Sequence, residues 1–251
     1  MEPRGAERFH AVAAAYARHR PGYPGAAVRR ILEVAGLLPP RRDSLVVDIG
    51  CGTGISARAF AALGVRVIGI DSNASMLAEA RAAGGGTEYR EGSAEDTGLP
   101  AASVDLLTAA QCFHWLDADR TVAEARRVLR PGGWIAAFWN VRGEAPFRAD
   151  YERILDRFCP RWGEAKQDLT SLRDLRARPD LRDRVDLDFR HGDRLDLESL
   201  LGRVASASYV AHELEDREGF YREVRRAFAA HAVDGRVEWA LRVEGSCFRP
   251  A

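Results

Sequence analysis

Lysine is almost missing from this chain: Lys166 stands alone among 37 basic residues, the rest being arginine. With the abundance of alanine, that reads as the coding bias of a GC-rich bacterial genome rather than as function. Charge of one sign is missing too, since 37 acidic residues balance the 37 basic ones. A protein whose main business is gripping nucleic acid needs a basic face, so that class is excluded. The four cysteines, Cys51, Cys112, Cys159 and Cys247, are widely spread with no C-x-x-C pair. No zinc site or disulfide framework follows, no metal is expected, and a reducing compartment is the default. No apolar run approaches the roughly 18 residues of a membrane span, and Met1-Glu2-Pro3-Arg4 leads into none of signal-peptide type. The expectation is a cytoplasmic protein with no membrane partner, monomeric or homodimeric, of 251 residues in a single α/β domain.

What is present is alternation. A helix is expected over 7–17, from Phe9, Val12, Ala13 and Tyr16 at helical spacing, and a second over 24–35. Strands follow at 45–49, 65–70, 87–91, 104–110 and 134–140, with helices at 54–63, 73–83 and 118–129. Gly84-Gly85-Gly86 and Pro131-Gly132-Gly133 mark two of the crossings. Beyond Asn140, helix-like segments with dense alternating Arg and Asp, as in Asp180-Leu181-Arg182-Asp183-Arg184, read as a solvated surface laced with ion pairs. Two last strands are expected near 185–190 and 236–243, with helices at 197–205 and 215–230 between them. The divisions are residues 1–40, 41–140, 141–205 and 206–251, with no linker separating them.

The chemistry gathers at strand ends. Leu45-Val46-Val47-Asp48-Ile49 is a buried strand running into Gly50-Cys51-Gly52-Thr53-Gly54, and the next strand ends on Asp71. Gly50, Gly52 and Gly54 let the backbone turn sharply and approach a ligand, because no Cβ intervenes. Asp71 can accept from both hydroxyls of a ribose. A dinucleotide fingerprint needs a third glycine where this chain has Ile55. Asp48 would repel a pyrophosphate but suits a ligand carrying a cationic amino group. A nicotinamide oxidoreductase is therefore the weakest reading.

The run Val46-Val47-Asp48-Ile49-Gly50-Cys51-Gly52-Thr53-Gly54 resembles motif I of the class I S-adenosylmethionine-dependent methyltransferases. The resemblance is to the small-molecule branch, the trans-aconitate-methyltransferase-like and methyltransferase type 11 proteins. Arg20-Pro21-Gly22-Tyr23-Pro24 is similar to that family's N-terminal segment, Ala110-Gln111-Cys112-Phe113-His114-Trp115 to its Q-A-F-H-W stretch, and Ser206-Ala207-Ser208-Tyr209 to a recurring S-x-S-Y element. It implies a doubly wound, mostly parallel, Rossmann-like sheet of seven strands, an N-terminal helical lid and a helical insertion after strand 5. It implies S-adenosyl-L-methionine as cofactor and a small molecule as methyl acceptor, through oxygen or nitrogen.

Under that resemblance the glycine turn and Asp48 hold the methionine part, while Asp71 and Ser72 hold the ribose. Met76 packs on adenine or belongs to the core. Gly92-Ser93-Ala94-Glu95-Asp96 resembles the adenine loop. Many relatives carry an aspartate at the position of Ser93, so Ser93 or Glu95 takes the adenine amine, and the Ala94 N–H faces the ring. Ala110 and Gln111 line the cofactor, with Phe113 and Trp115 on the acceptor side. His114 is the candidate base, or else walls the cleft. Tyr16, Arg20 and Tyr23 touch cofactor or substrate, or only fix a turn between helices. Trp139 and Asn140 are substrate-side by position. Cyclisation, elimination or aminopropyl chemistry on the same cofactor, and a non-catalytic binding role, stay open as alternatives.

Overall fold

The computed structural model describes residues 17–160, 162–163 and 168–251. Tyr16, and the helix expected over 7–17 save its last residue, lie outside them. Seven strands form one sheet: β1 Leu45–Ile49, β2 Arg66–Asp71, β3 Glu88–Glu91, β4 Val104–Ala110, β5 Leu129–Arg142, β6 Leu181–Leu195 and β7 Val237–Pro250. Their order is β3-β2-β1-β4-β5-β7-β6. β1 to β5 run parallel, and β7 enters antiparallel between β5 and β6.

β1 and β4 are buried along their whole length, as apolar strands covered on both faces must be. Alternate residues feed two cores. Val46, Val67, Leu106 and Phe138 pack beneath helices α1 (Gly25–Val34), α2 (Ile55–Ala61) and α3 (Ala74–Ala82). Val47, Ile68, Leu107 and Ile135 pack beneath α4 (Ala118–Val128) and α6 (Asp168–Ala177). A third cluster joins α5 (Pro146–Phe158), α7 (Leu197–Ala205), α8 (Ser208–Glu213) and α9 (Arg217–His231) around Tyr151, Leu155, Trp162 and Phe220. Arg142, at the end of β5, ties that cluster to the sheet. It donates to the Tyr209 hydroxyl at 3.1 Å and lies over the Trp162 ring at 5.0 Å. Among the described residues no helix is long and apolar enough to cross a membrane.

Helix boundaries follow local chemistry. Asn73, Asp117, Asp196 and Asp216 each accept a backbone N–H at the start of α3, α4, α7 and α9, contacts that stabilise a helix by about 1 kcal/mol each. The strands of the outer half depart from expectation. β5 begins at Leu129 instead of 134, because Pro131-Gly132-Gly133 is absorbed as an irregularity in the pairing with β4 rather than ending the strand. β6 and β7 run well beyond 185–190 and 236–243, since their alternating charges face outward on an edge pair. There they form bridges such as Arg249–Asp183 and Arg242–Asp188. The short α8 is also an addition to the expected elements.

Candidate active site

The strand order reverses between β1 and β4, so their carboxyl ends diverge and leave a crevice. A cleft opens there, its roughly 400 Å³ of empty space continuous with open solvent. It is lined by Gly50, Cys51, Gly52, Thr53, Ile55 and Ser56 after β1, and by Ala110 and Gln111 after β4. Arg20, Pro21 and Tyr23 of the N-terminal segment complete the wall.

The glycine turn is fixed from several directions. Gly50, Gly52 and Gly54 all have left-handed φ, at 58°, 53° and 75°. A Cβ on Gly50 would sit 2.8 Å from the Cys112 thiol, so the turns after β1 and β4 touch because glycine is there. Asp71 Oδ2 accepts from the Gly52 N–H at 2.7 Å, and Oδ1 from the Asn73 N–H at 2.8 Å. Burial raises the Asp71 carboxyl, and the two backbone bonds oppose that rise. Each oxygen keeps a further lone-pair site for a ligand.

Two residues not singled out in the sequence brace the turn from below. Arg58 Nη1 donates to the Thr53 carbonyl at 2.7 Å and to the Tyr89 hydroxyl at 3.5 Å. Tyr89, buried on β3, runs under the turn, and its ring occupies the space where a Cβ on Gly69 or Gly54 would be. The glycine inside β2 was the available signal, since strand glycines mark close approach.

Asp48 is not part of the cleft wall. It is fully buried, and both oxygens are engaged, by Ser56 Oγ at 2.5 Å and Thr108 Oγ1 at 2.8 Å. Burial pushes its carboxyl up to about 6 despite those two hydroxyls. Its role is to anchor the turn from beneath. The Cys51 and Cys112 thiols are buried and pushed far up, so neither is a thiolate nucleophile.

On the adenine side expected from the sequence, Ser93 Oγ accepts from the Asp96 N–H at 3.1 Å and Glu95 Oε1 from the Asp117 N–H at 3.1 Å. Each shapes its loop through one accepted bond and keeps acceptor capacity for a ligand. Ala94 is buried, and Met76 is buried in the first turn of α3, behind Ser72 and Asn73.

The Q-x-F-H-W stretch divides. Gln111 lines the cleft, whereas Phe113 is buried in the core against α4 and α6. His114 and Trp115 sit on a 3-10 turn with rings 4.7 Å apart, outside the cleft lining, and Trp115 is 47% exposed. Burial drives the His114 imidazole down to about 4, leaving it neutral at physiological pH. Trp139 is likewise a correction. It points into the core among Leu172 and Leu175 rather than toward an acceptor, because odd residues of β5 face that layer. Asn140, on the opposite face, donates to the Gly22 carbonyl at 3.0 Å and holds His191 at 2.8 Å. With Arg20 Nη2 reaching the Ser206 carbonyl at 3.5 Å and Tyr23 edge-on to Phe138 at 4.9 Å, it straps the N-terminal segment across the cleft.

Residues 47–137 match the family described as Methyltransferase domain. An uncharacterised methyltransferase of Mycobacterium tuberculosis is 37% identical over 164 residues, 65% of this chain and 63% of that protein. A malonyl-[acyl-carrier protein] O-methyltransferase of Enterobacter lignolyticus is 37% identical over 130 residues, 50% of this chain and 52% of that protein. The chain therefore spans less than two thirds of the length of these curated relatives. A solved structure from Anaeromyxobacter dehalogenans, assigned to the type II methyltransferases, superposes with a TM-score of 0.70 at 28% identity, over 92% of this chain and 97% of that one. Residues 47–137 thus carry a methyltransferase domain, and the seven-stranded sheet gives the chain the fold of its methyltransferase neighbour.

Proposed function

We propose that the chain binds S-adenosyl-L-methionine in the cleft between β1 and β4 and transfers its methyl group to a small-molecule acceptor by in-line displacement. One observation carries the reading. Thr53 Oγ1 and Gln111 Oε1, both on the cleft lining, are buried and find no hydrogen-bond partner among the described residues. Such atoms cost about 1–3 kcal/mol each, which a polar ligand relieves. The ligand fits the donor set: Asp71 can accept from ribose hydroxyls, and the glycine turn admits a close approach.

The bound cofactor supplies an activated methyl group on a sulfonium. The chain's own residues align and enclose. Asn140 and Arg20 hold the strap of residues 20–24 over the cleft, which limits water and fixes the approach of an acceptor. His114, neutral and outside the cleft lining, walls the region beyond Gln111 and is not needed as a base. A carboxylate acceptor needs no proton removed. Residues 1–40 as lid and 141–205 as cap would set acceptor choice.

The test is a mass-spectrometric product assay with S-adenosyl-L-methionine and a fractionated small-molecule extract. S-adenosylhomocysteine with a product one methylene heavier is expected. Methylthioadenosine instead would overturn methyl transfer in favour of cleavage on the other side of sulfur. Asp71→Ala should lose calorimetric affinity for S-adenosylhomocysteine by roughly 100-fold or more, from two charged hydrogen bonds. Unchanged affinity in a folded variant would refute the cofactor site.

A further inference from the structure

A second opening lies on the same edge of the sheet as the cleft between β1 and β4. β1 to β5 run parallel, so the carboxyl end of β5 shares that edge, and β7 starts there because it runs the other way. The end of β5, the first turns of α5 and the start of β7 enclose roughly 230 Å³ of empty space, continuous with open solvent. Gly143, Ala145 and Ala240 are small residues on its wall, and Phe147, Tyr151 and Trp239 are aromatic ones. The three rings make one surface. Phe147 stacks on Tyr151 at 5.7 Å and 15°, and Trp239 leans on Tyr151 at 5.4 Å. Faces of this kind hold flat apolar groups.

Two arginines also border the opening, and their charge is already matched. Arg142 donates to the hydroxyl of Tyr209, the last residue of the S-x-S-Y element, at 3.1 Å and pairs with Glu152 at 3.6 Å. Arg148 donates to Glu152 at 3.1 Å, to Glu144 at 2.8 Å and to the Arg142 carbonyl at 3.0 Å. Glu238 adds a negative charge at the exposed rim. An anion entering here has to break an existing pair and meet further carboxylates, whereas a neutral ring leaves every pair intact.

The opening is joined to the cleft through the strap. Arg20, Pro21 and Tyr23 line the cleft, and the carbonyl of His19, the residue before them, accepts from Arg203 Nε at 3.0 Å. The same guanidinium lies 6.0 Å from the centre of the Trp239 ring. Asn140, which holds the Gly22 carbonyl, stands two residues before Arg142 on the same face of β5. The strap thus borders both openings.

We propose that this second pocket seats the planar, apolar end of the methyl acceptor, leaving the atom to be methylated outside it, toward the strap and the cleft. This deepens the methyl-transfer reading and rests on it. The acceptor class is a neutral aromatic or similarly flat ring, not a compact polyanion.

Ligand-observed NMR titrations on the full chain, saturated with S-adenosylhomocysteine to fill the cleft, set a ring without charge, 2-naphthol, against charge without a ring, succinate. 2-Naphthol is expected to bind, and succinate to bind roughly tenfold or more weakly. Ala145→Phe fills the opening from an extended residue, φ −155° and ψ 152°, that phenylalanine adopts without strain. It should abolish 2-naphthol binding while Tm and the calorimetric affinity for S-adenosylhomocysteine hold. Trp239→Leu removes one aromatic face and should weaken 2-naphthol by roughly 2–10-fold. Succinate bound more tightly than 2-naphthol, and lost in Ala145→Phe, would overturn the proposal in favour of an anion site at the arginines. So would 2-naphthol binding that Ala145→Phe leaves intact, or no 2-naphthol binding at all. If wild type does not bind S-adenosylhomocysteine, the cofactor reading fails, a separate result, and the same titrations on the chain alone still decide the pocket.

Discussion

A single methyl group placed on Gly54 puts the bracing of the glycine turn to the test. A Cβ there would overlap the Tyr89 hydroxyl and lie 2.7 Å from Cζ and 2.9 Å from Arg58 Nη1. The guanidinium end can swing away. Tyr89 cannot, because its ring is buried on β3 and lies against Gly69. At φ +75° an alanine also pays for a left-handed backbone, about 1–2 kcal/mol. Overpacking adds about 1–3 kcal/mol, so Gly54→Ala should cost roughly 2–5 kcal/mol in all. For a chain of this length that lowers Tm by roughly 5–15 °C. Urea unfolding followed by circular dichroism measures the loss directly, through the midpoint at unchanged slope. The steric share is then isolated in a double-mutant cycle. Tyr89→Leu removes Cζ and the hydroxyl, so Gly54→Ala in that background should cost only the backbone part, with a coupling of about 1–3 kcal/mol. Equal cost in both backgrounds would refute the claim that Tyr89 is what Gly54 makes room for.

Two further outcomes follow from ionisation. Asp48 is held at about 6 in the fold against 3.8 when exposed, so the native state binds its proton more tightly than the unfolded chain does. Its contribution is therefore best at low pH and falls as pH rises from about 4 to 6, reaching a cost of about 3 kcal/mol above both values. Asp48→Asn should flatten that part of the stability–pH curve in urea titrations; an unaltered slope would show that the buried carboxyl is not its source. His114, pushed down to about 4, should contribute no limb to the pH–rate profile of transfer between about pH 5.5 and 8. A limb near 6.5 that disappears in His114→Asn would contradict the burial assigned to it.

The inner half of the molecule is legible in the sequence because local signals and tertiary packing agree there. The buried run 45–49, the three glycines and the capping Asn73 each have one physical solution, and the helices and strands fall within a few residues of expectation. The outer half resists because its strands carry alternating arginine and aspartate, a pattern that a solvated helix and an edge strand share. Among site residues, Gly50 to Thr53 of the glycine turn stand in the cleft, with Ala110 and Gln111 of the stretch that the family resemblance picked out. Two others moved: Asp48, placed by its charge, proved an anchor under the turn, and Trp139, placed by its position after the fifth strand, a core residue on the other face of β5. Pleat parity settles such cases, and it depends on where a strand begins, which Pro131-Gly132-Gly133 concealed. Tyr89 and Arg58 were hinted at by Gly69 alone, because they act through contacts between β3 and α2, distant in sequence.

The insertion of β7 between β5 and β6 carries a consequence for how the protein is made. During synthesis β6 emerges first and has no neighbour to join, since its partner along the sheet is still unmade. β5 likewise keeps an open edge across almost a hundred residues of chain, a long loop to close before the pairing rewards it. The half built on β1 to β5 can thus form early as a five-stranded sheet, while the half beyond β5 waits for Val237–Pro250. Protease sensitivity of nascent chains should drop in two steps, the second only when that final strand has cleared the ribosome.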